Sequence, residues 1–124
     1  MALELTLPYP PSVNHYWQRN RNGGMRISDE GQNFRDVVIL LCRTNEVKQW
    51  KMLLVRGGLS ISIDVYPPDA RRRDLDNILK SLLDALQHAG CYDDDSLLAR
   101  IEIARMGQFQ GGKVVVRLSE IGKV

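Results

Sequence analysis

An α+β protein, one mixed β-sheet packed against two α-helices in a single domain spanning 1–124, is predicted by three features of the sequence. Leu59, Ile61, Ile63 and Val65 alternate with Ser60, Ser62 and Asp64, the period of a half-buried strand. Val114, Val116 and Leu118 repeat the pattern near the end of the chain. Between them Leu75, Ile78, Leu79, Leu82, Leu83, Leu86 and Ala89 recur at the three-four spacing of one helical face, which marks an amphipathic helix with its apolar side on a core. At 124 residues, 44% hydrophobic and 26% charged, the chain has the length and composition of one globular domain.

The elements follow in order. Leu3, Leu5 and Leu7 alternate with Glu4 and Thr6 in a first short strand that Pro8 ends. The next stretch, PYPPSVNHYWQRNRNGGMRIS, is too rich in proline for a helix, and Gly23-Gly24 suits a turn between two short extended pieces. Ser28 is an N-cap, with Asp29 and Glu30 in the first turn where the helix dipole favours acids. Phe34, Val37, Val38, Leu41 and Cys42 give this first helix a buried face, and it is expected to run to about Trp50. The strand 59–65 feeds through Pro67-Pro68 into the second helix, and Gly90 is placed to end that helix in a left-handed cap. Leu97, Leu98, Ile101 and Ile103 mark a strand to about Met106. Gly111-Gly112 then turns the chain, so that the last two strands are expected to form a closing hairpin.

Bulk properties exclude several classes. Lys and Arg exceed Asp and Glu by two, 17 against 15, too small an excess to announce a nucleic-acid binder, so any such function rests on how charge is distributed. Cys42 and Cys91 belong to no metal-binding pattern and are expected to be free thiols in a reducing compartment. No apolar run has membrane length and no signal peptide opens the chain. A soluble cytoplasmic protein, with no membrane partner, is expected.

Chemistry concentrates in Asp69–Asp95, which opens with Arg71, Arg72, Arg73, Asp74 and Asp76 and closes on Asp93, Asp94 and Asp95. Two residues apart on a helix, Asp74 and Asp76 would point in opposed directions. With the chain extended from Arg73 to Asp76, both carboxylates share one side and the helix begins at Asp76 or Asn77. The two acidic clusters can then share a metal only if the chain doubles back, because a helix of this length spans roughly 22 Å. The closing hairpin is the element that could return Asp94 and Asp95. Two carboxylates about 4 Å apart repel by roughly 4 kcal/mol at an effective dielectric near 20, so convergence calls for a cation. Hard oxygen donors in small number suit Mg²⁺, with Mn²⁺ as a substitute. Against this stands a plainer possibility, that single aspartates cap helices and turns.

Arg72 and Arg73 are suited to phosphate contacts that position without reading sequence, whereas Arg71 fits a solvated loop. Tyr9, Tyr16 and Trp17 are interleaved with Arg19, Arg21 and Arg26 in the early hairpin, the stacking surfaces and cations that nucleic acid requires. The alternative is a solvated hairpin with its aromatics in the core.

In order and spacing, LPYPPSVNHYW, SDEGQNFRDVV, PDARRRDLDNILKSLLDAL and AGCYDDDSL resemble the RusA family of Holliday-junction resolvases, encoded by bacteria and their prophages. The resemblance covers nearly the whole chain. It implies a homodimeric, Mg²⁺-dependent endodeoxyribonuclease that makes paired symmetric nicks in four-way junction DNA during recombination and repair. By position it implies metal-binding roles for Asp74, Asp76 and Asp95, with Asp94 as a fourth ligand, and a catalytic role for Lys80. The triplet Asp93–Asp95 stands where the family commonly has an acidic pair, and Asp95 is favoured because its spacing from Asp76 then needs no gap.

Lys80 lies one turn beyond Asp76. Its ammonium could reach a phosphate oxygen, or form an i,i+4 ion pair with Asp76 or Asp84 worth only about 0.2–0.5 kcal/mol. Two other functions fit the same residues: a non-catalytic branched-DNA-binding protein, and a metal-dependent phosphohydrolase or nuclease acting on nucleotides or other branched DNA.

Overall fold

The computed structural model describes residues 2–53 and 58–121. Among the described residues six strands and four α-helices follow one another: β1 (Ala2–Pro8), α1 (Val13–Tyr16), β2 (Trp17–Arg19), β3 (Met25–Ile27), α2 (Asp29–Leu41), α3 (Asn45–Met52), β4 (Leu59–Tyr66), α4 (Leu79–His88), β5 (Leu98–Arg105) and β6 (Lys113–Glu120). Short 3-10 turns, Leu75–Ile78 and Asp95–Leu97, precede α4 and β5. The main sheet has the order β1-β6-β4-β5, and β2 and β3 form a separate hairpin. A mixed sheet on helices is the predicted class.

The odd-numbered residues of β4 are buried while Ser60, Ser62, Asp64 and Tyr66 are only half-buried, so the sheet has one helix-covered face and one open face. Leu59, Ile61, Ile63, Val65, Val114, Val116 and Leu118 meet Phe34, Val38, Ile78, Leu82 and Leu86 in a single core cluster. On the open face Arg117 joins two strands to its own, pairing with Glu4 at 3.0 Å and Asp64 at 3.1 Å.

Both predicted caps are present. Ser28 Oγ accepts from Gly31 N at 2.9 Å. Gly90 takes φ +81°, Gly90 N donates to Gln87 O and Cys91 N to Leu86 O, each at 3.0 Å, the paired bonds of a Schellman cap. The helix expected to reach Trp50 is two helices, because Thr44 Oγ1 accepts from Val47 N at 3.2 Å and starts α3 afresh. Cys42 and Cys91 are free and buried, their sulfurs 3.8 Å apart. Among the described residues no helix is long and apolar enough to cross a membrane.

One topological expectation is overturned. β5 and β6 are not neighbours: β4 lies between them, antiparallel to β6 and parallel to β5. The segment β4–α4–β5 is therefore a crossover unit, which parallel strands require.

Candidate active site: the acidic crossover

The parallel register decides where the acids lie. Leu59 pairs with Leu98 and Val65 with Arg105, so β5 starts beside the beginning of β4 and ends beside its end. Asp74 and Asp76 follow the end of β4, whereas Asp94 and Asp95 precede the start of β5. Six strand steps, about 20 Å, separate the two ends of the sheet. Among the described residues no three His, Cys, Asp or Glu side chains lie close enough to hold a metal. One chain therefore does not bring Asp74, Asp76 and Asp95 together: α4 runs back along the sheet and β5 retraces β4 from its start, and the closing hairpin that could have returned Asp95 does not exist.

Local geometry differs too. Asp74 is extended, φ −84° and ψ 135°, but the 3-10 turn begins at Leu75. The extended run expected through Asp76 stops two residues early, because Asn77 N already bonds Asp74 O at 3.2 Å. Asp74, Asp76 and Lys80 are all exposed. At the far end, Asp94 Oδ1 accepts from Ser96 N at 2.9 Å, a turn cap that holds its carboxyl below the usual range. Asp95 N donates to Gln87 Oε1 at 3.1 Å, which ties the acidic turn to α4 and leaves Asp95 exposed.

Beside Asp74 a cleft of about 480 Å³ opens between the end of β5 and the loop after β4, lined by Tyr9, Asp69, Arg71, Arg72, Arg73, Asp74, Arg105 and Gly107. Asp69 organises its basic wall. Its carboxylate takes Arg73 Nη1 at 2.6 Å, Arg73 Nη2 at 3.1 Å and Arg71 N at 2.9 Å, and the Arg73 contact, then the Arg71 amide, holds it down at about 2. Arg73 also lies 5.9 Å from the Tyr9 ring centroid, and Arg105 donates to Arg73 O. Arg72 is exposed. Asp69 and Arg105 were given no role from sequence, and Tyr9, read there only as a stacking aromatic, lies against Arg73. Only the i,i+4 spacing of Asp69 and Arg73 carried a signal.

The early hairpin divides. Arg19, Arg21 and Arg26 are exposed, but Tyr16 is not a stacking platform: it is 0% exposed. Its hydroxyl donates to Asp84, which also accepts from Arg35 Nη2 at 2.8 Å. His88 Nε2 lies 3.7 Å from the other Asp84 oxygen. Burial raises the Asp84 carboxyl, but the Tyr16 and Arg35 hydrogen bonds outweigh it and hold the group below its usual value. Burial, then the Asp84 bond, pushes Tyr16 up to about 12. This network fastens α1 and the hairpin to α2 and α4, and it occupies the acid that could have paired with Lys80. No ion pair of Lys80 is found among the described residues.

A small α+β crossover unit with a basic cleft at one end of its sheet and exposed aspartates at both ends defines a class of compact proteins equipped to meet phosphodiesters. The family follows from comparison. The model for endodeoxyribonuclease RusA matches residues 8–119. The chain is 40% identical over 122 residues, 98% of its length and 97% of the relative's, to crossover junction endodeoxyribonuclease RusA of Enterobacteria phage HK97. It is 37% identical over 118 residues, 95% of its length and 94% of the relative's, to the enzymes of that name from Enterobacteria phage 82 and Escherichia coli O139:H28. The chain belongs to the RusA family of endodeoxyribonucleases.

Proposed function

We propose that the protein is a Holliday-junction resolvase, a divalent-metal-dependent endodeoxyribonuclease that works as a homodimer in the cytoplasm and cuts two strands of a four-way DNA junction. The observation that carries the activity is the family match from residue 8 to 119, which spans the whole acidic crossover. The donor chemistry fits Mg²⁺ or Mn²⁺, since Asp74, Asp76, Asp94 and Asp95 are hard oxygen ligands. Their distribution, in two pairs at opposite ends of one chain, supports a site completed by a second copy: Asp74 and Asp76 of one protomer with Asp95, and Asp94 beside it, of the other. A two-fold dimer then has two such sites, one for each nick.

The bound cation would neutralise charge on the scissile phosphate and lower the pKa of a water molecule that attacks it. The chain's own residues do the positioning. Lys80, exposed on the first turn of α4 beyond Asp76, supplies an ammonium for a non-bridging phosphate oxygen. Arg72 meets the backbone, while Arg73, held by Asp69, stiffens the loop that presents Asp74 and adds a fixed positive charge. Arg19 and Arg21, exposed at the hairpin, extend the phosphate track.

The test mixes two inactive variants. Asp76→Asn and Asp95→Asn each bind a four-way junction in Mg²⁺ but do not cut it, and neither cuts linear duplex or flaps. Mixed and allowed to exchange subunits, they regain cutting, because the heterodimer contains one site with both wild-type contributions. A site built within one chain gives no rescue in that mixture. Full activity of both variants, or activity undiminished by EDTA, overturns the assignment.

A further inference from the structure

We infer that Phe109 is a stacking platform for an uncovered nucleobase at the exchange point of the junction, with Lys113 beside it for the adjoining phosphate; this rests on the DNA function proposed above. Stacking on nucleic acid needs an aromatic face in contact with solvent. Tyr16 is buried, and Tyr9, Trp17 and Tyr66 are half-buried. Among the described residues Phe109, 46% exposed, is the one aromatic that the fold leaves open to water. Its ring contributes little to the core.

The loop nevertheless holds the ring in place. Met106 N donates to Val65 O at 2.7 Å, Phe109 N to Pro67 O at 2.9 Å and Gly112 N to Phe109 O at 2.7 Å, so the chain after β5 is laced to the chain at the end of β4. A Cβ at Gly112 would stand 2.8 Å from Tyr9 Cβ, which seats the return leg of the loop against a wall of the basic cleft. Met106, Gly107 and Gln108 line that cleft with Arg72, Arg73 and Asp74. Phe109 comes next, and its ring meets Lys113, which pairs with Tyr66 across β6 and β4. By strand alternation Lys113 and Tyr66 lie on the open face of the sheet. The ring therefore stands where the cleft meets that face.

Lys113 supplies the charge. Its ammonium lies 4.1 Å from the Phe109 ring centroid and 4.8 Å from that of Tyr66, so two π-faces fix one cation. Among the described residues it has no carboxylate partner. An open ring beside a fixed ammonium is complementary to a nucleotide, whose base takes the ring and whose phosphate takes the charge. An apolar protein surface would cover the ring but gain nothing from the cation. Duplex DNA keeps its base faces stacked, whereas the helices of a four-way junction end at one point and expose their terminal pairs. Phenylalanine has no group to hydrogen-bond a base edge, so this contact selects branch structure and not sequence.

The test compares binding to a four-way junction with binding to a linear duplex of one arm, in the Asp76→Asn background so that the DNA stays uncut. Added Phe109→Ala is expected to weaken junction binding by about fivefold or more and to leave duplex binding unchanged. Phe109→Trp keeps junction binding; Phe109→Leu, apolar but without a π-face, does not. A 2-aminopurine at the exchange point, quenched by stacking, is brighter in the complex with Phe109→Ala than in that of the parent. Lys113→Ala lowers the slope of log K against log salt by about one, and an unchanged slope removes Lys113 from the site. Equal losses on junction and duplex, full junction binding by Phe109→Leu, or weaker self-association of Phe109→Ala in sedimentation overturns the platform, the last by placing the ring under a second copy. If the parent prefers the junction and the wild type cuts it while Phe109→Ala binds like its parent, only the platform fails. If the parent shows no preference and the wild type does not cut, the proposed function fails with it.

Discussion

Tyr16→Phe isolates the hydrogen bond that fastens α1 and the β2–β3 hairpin to the helices, because it removes one hydroxyl and leaves a fully buried ring in place. The bond is charge-assisted and its acceptor Asp84 keeps Arg35 at 2.8 Å, so its loss costs about 1.5–3 kcal/mol without leaving the carboxylate unpaired. Burial of the ring, then the Asp84 bond, raises the phenol from 10.0 to about 12, so the bond accounts for only part of that displacement. The sign follows from linkage: folding favours the protonated phenol, so the stabilisation is fully present below pH 10 and is lost as pH rises through about 12. At pH 8 the variant should melt about 6–10 °C below wild type, and by pH 12 the gap should close. Paired thermal and urea unfolding curves followed by circular dichroism measure both. Equal stability at pH 8, or a gap that persists unchanged to pH 12, refutes the anchoring role.

Gly31→Ala should destabilise by about 2–3 kcal/mol in the same unfolding assay, since its Cβ would lie 2.5 Å from Tyr16 O and 2.9 Å from Ile27 Cγ1, and a backbone oxygen cannot swing away. Arg72→Ala should weaken junction binding to all sequences alike and reduce the slope of log K against log salt by about one, read by gel shift over a range of NaCl concentrations; an unchanged slope removes Arg72 from the phosphate track.

Elements whose formation depends on local chemistry were readable in the sequence. Alternation marked β1, β4 and β6, and Ser28 and Gly90 announced the ends of their helices, because an N-cap oxygen or a left-handed residue acts within a few positions. The Thr44 cap was of the same kind, hidden because apolar residues continue at helical spacing on both sides of it. Sheet order was harder. Alternation identifies a strand but not its neighbour, and Gly111 and Gly112, at φ +84° and +73°, do turn the chain as a hairpin would. The available signal was loop length. Met106 to Gly112 exceeds the two to five residues common in hairpins, and it is long enough to cross β4, a step of about 10 Å between second-neighbour strands. Tyr16 misled for a related reason: its interleaving with arginines is a sequence pattern, whereas its burial depends on Asp84 and Arg35, contributed by α4 and α2.

The acidic clusters show how topology bears on the site. Their residue types pointed to a metal and their separation in sequence did not forbid one, but a parallel β4–β5 pair holds the end of one strand and the start of the next at opposite ends of the sheet. A hairpin would have allowed one self-sufficient centre per chain. The crossover instead keeps the two acidic pairs apart among the described residues, and in the proposed dimer a second copy related by a two-fold axis would complete two sites at once. On that proposal a lone protomer would be inert, and DNA would meet either no active centre or two. For an enzyme whose useful product requires two cuts, that coupling suppresses the single unpaired nick. It would follow from the strand register together with the proposed two-fold symmetry, with no further contact between the centres.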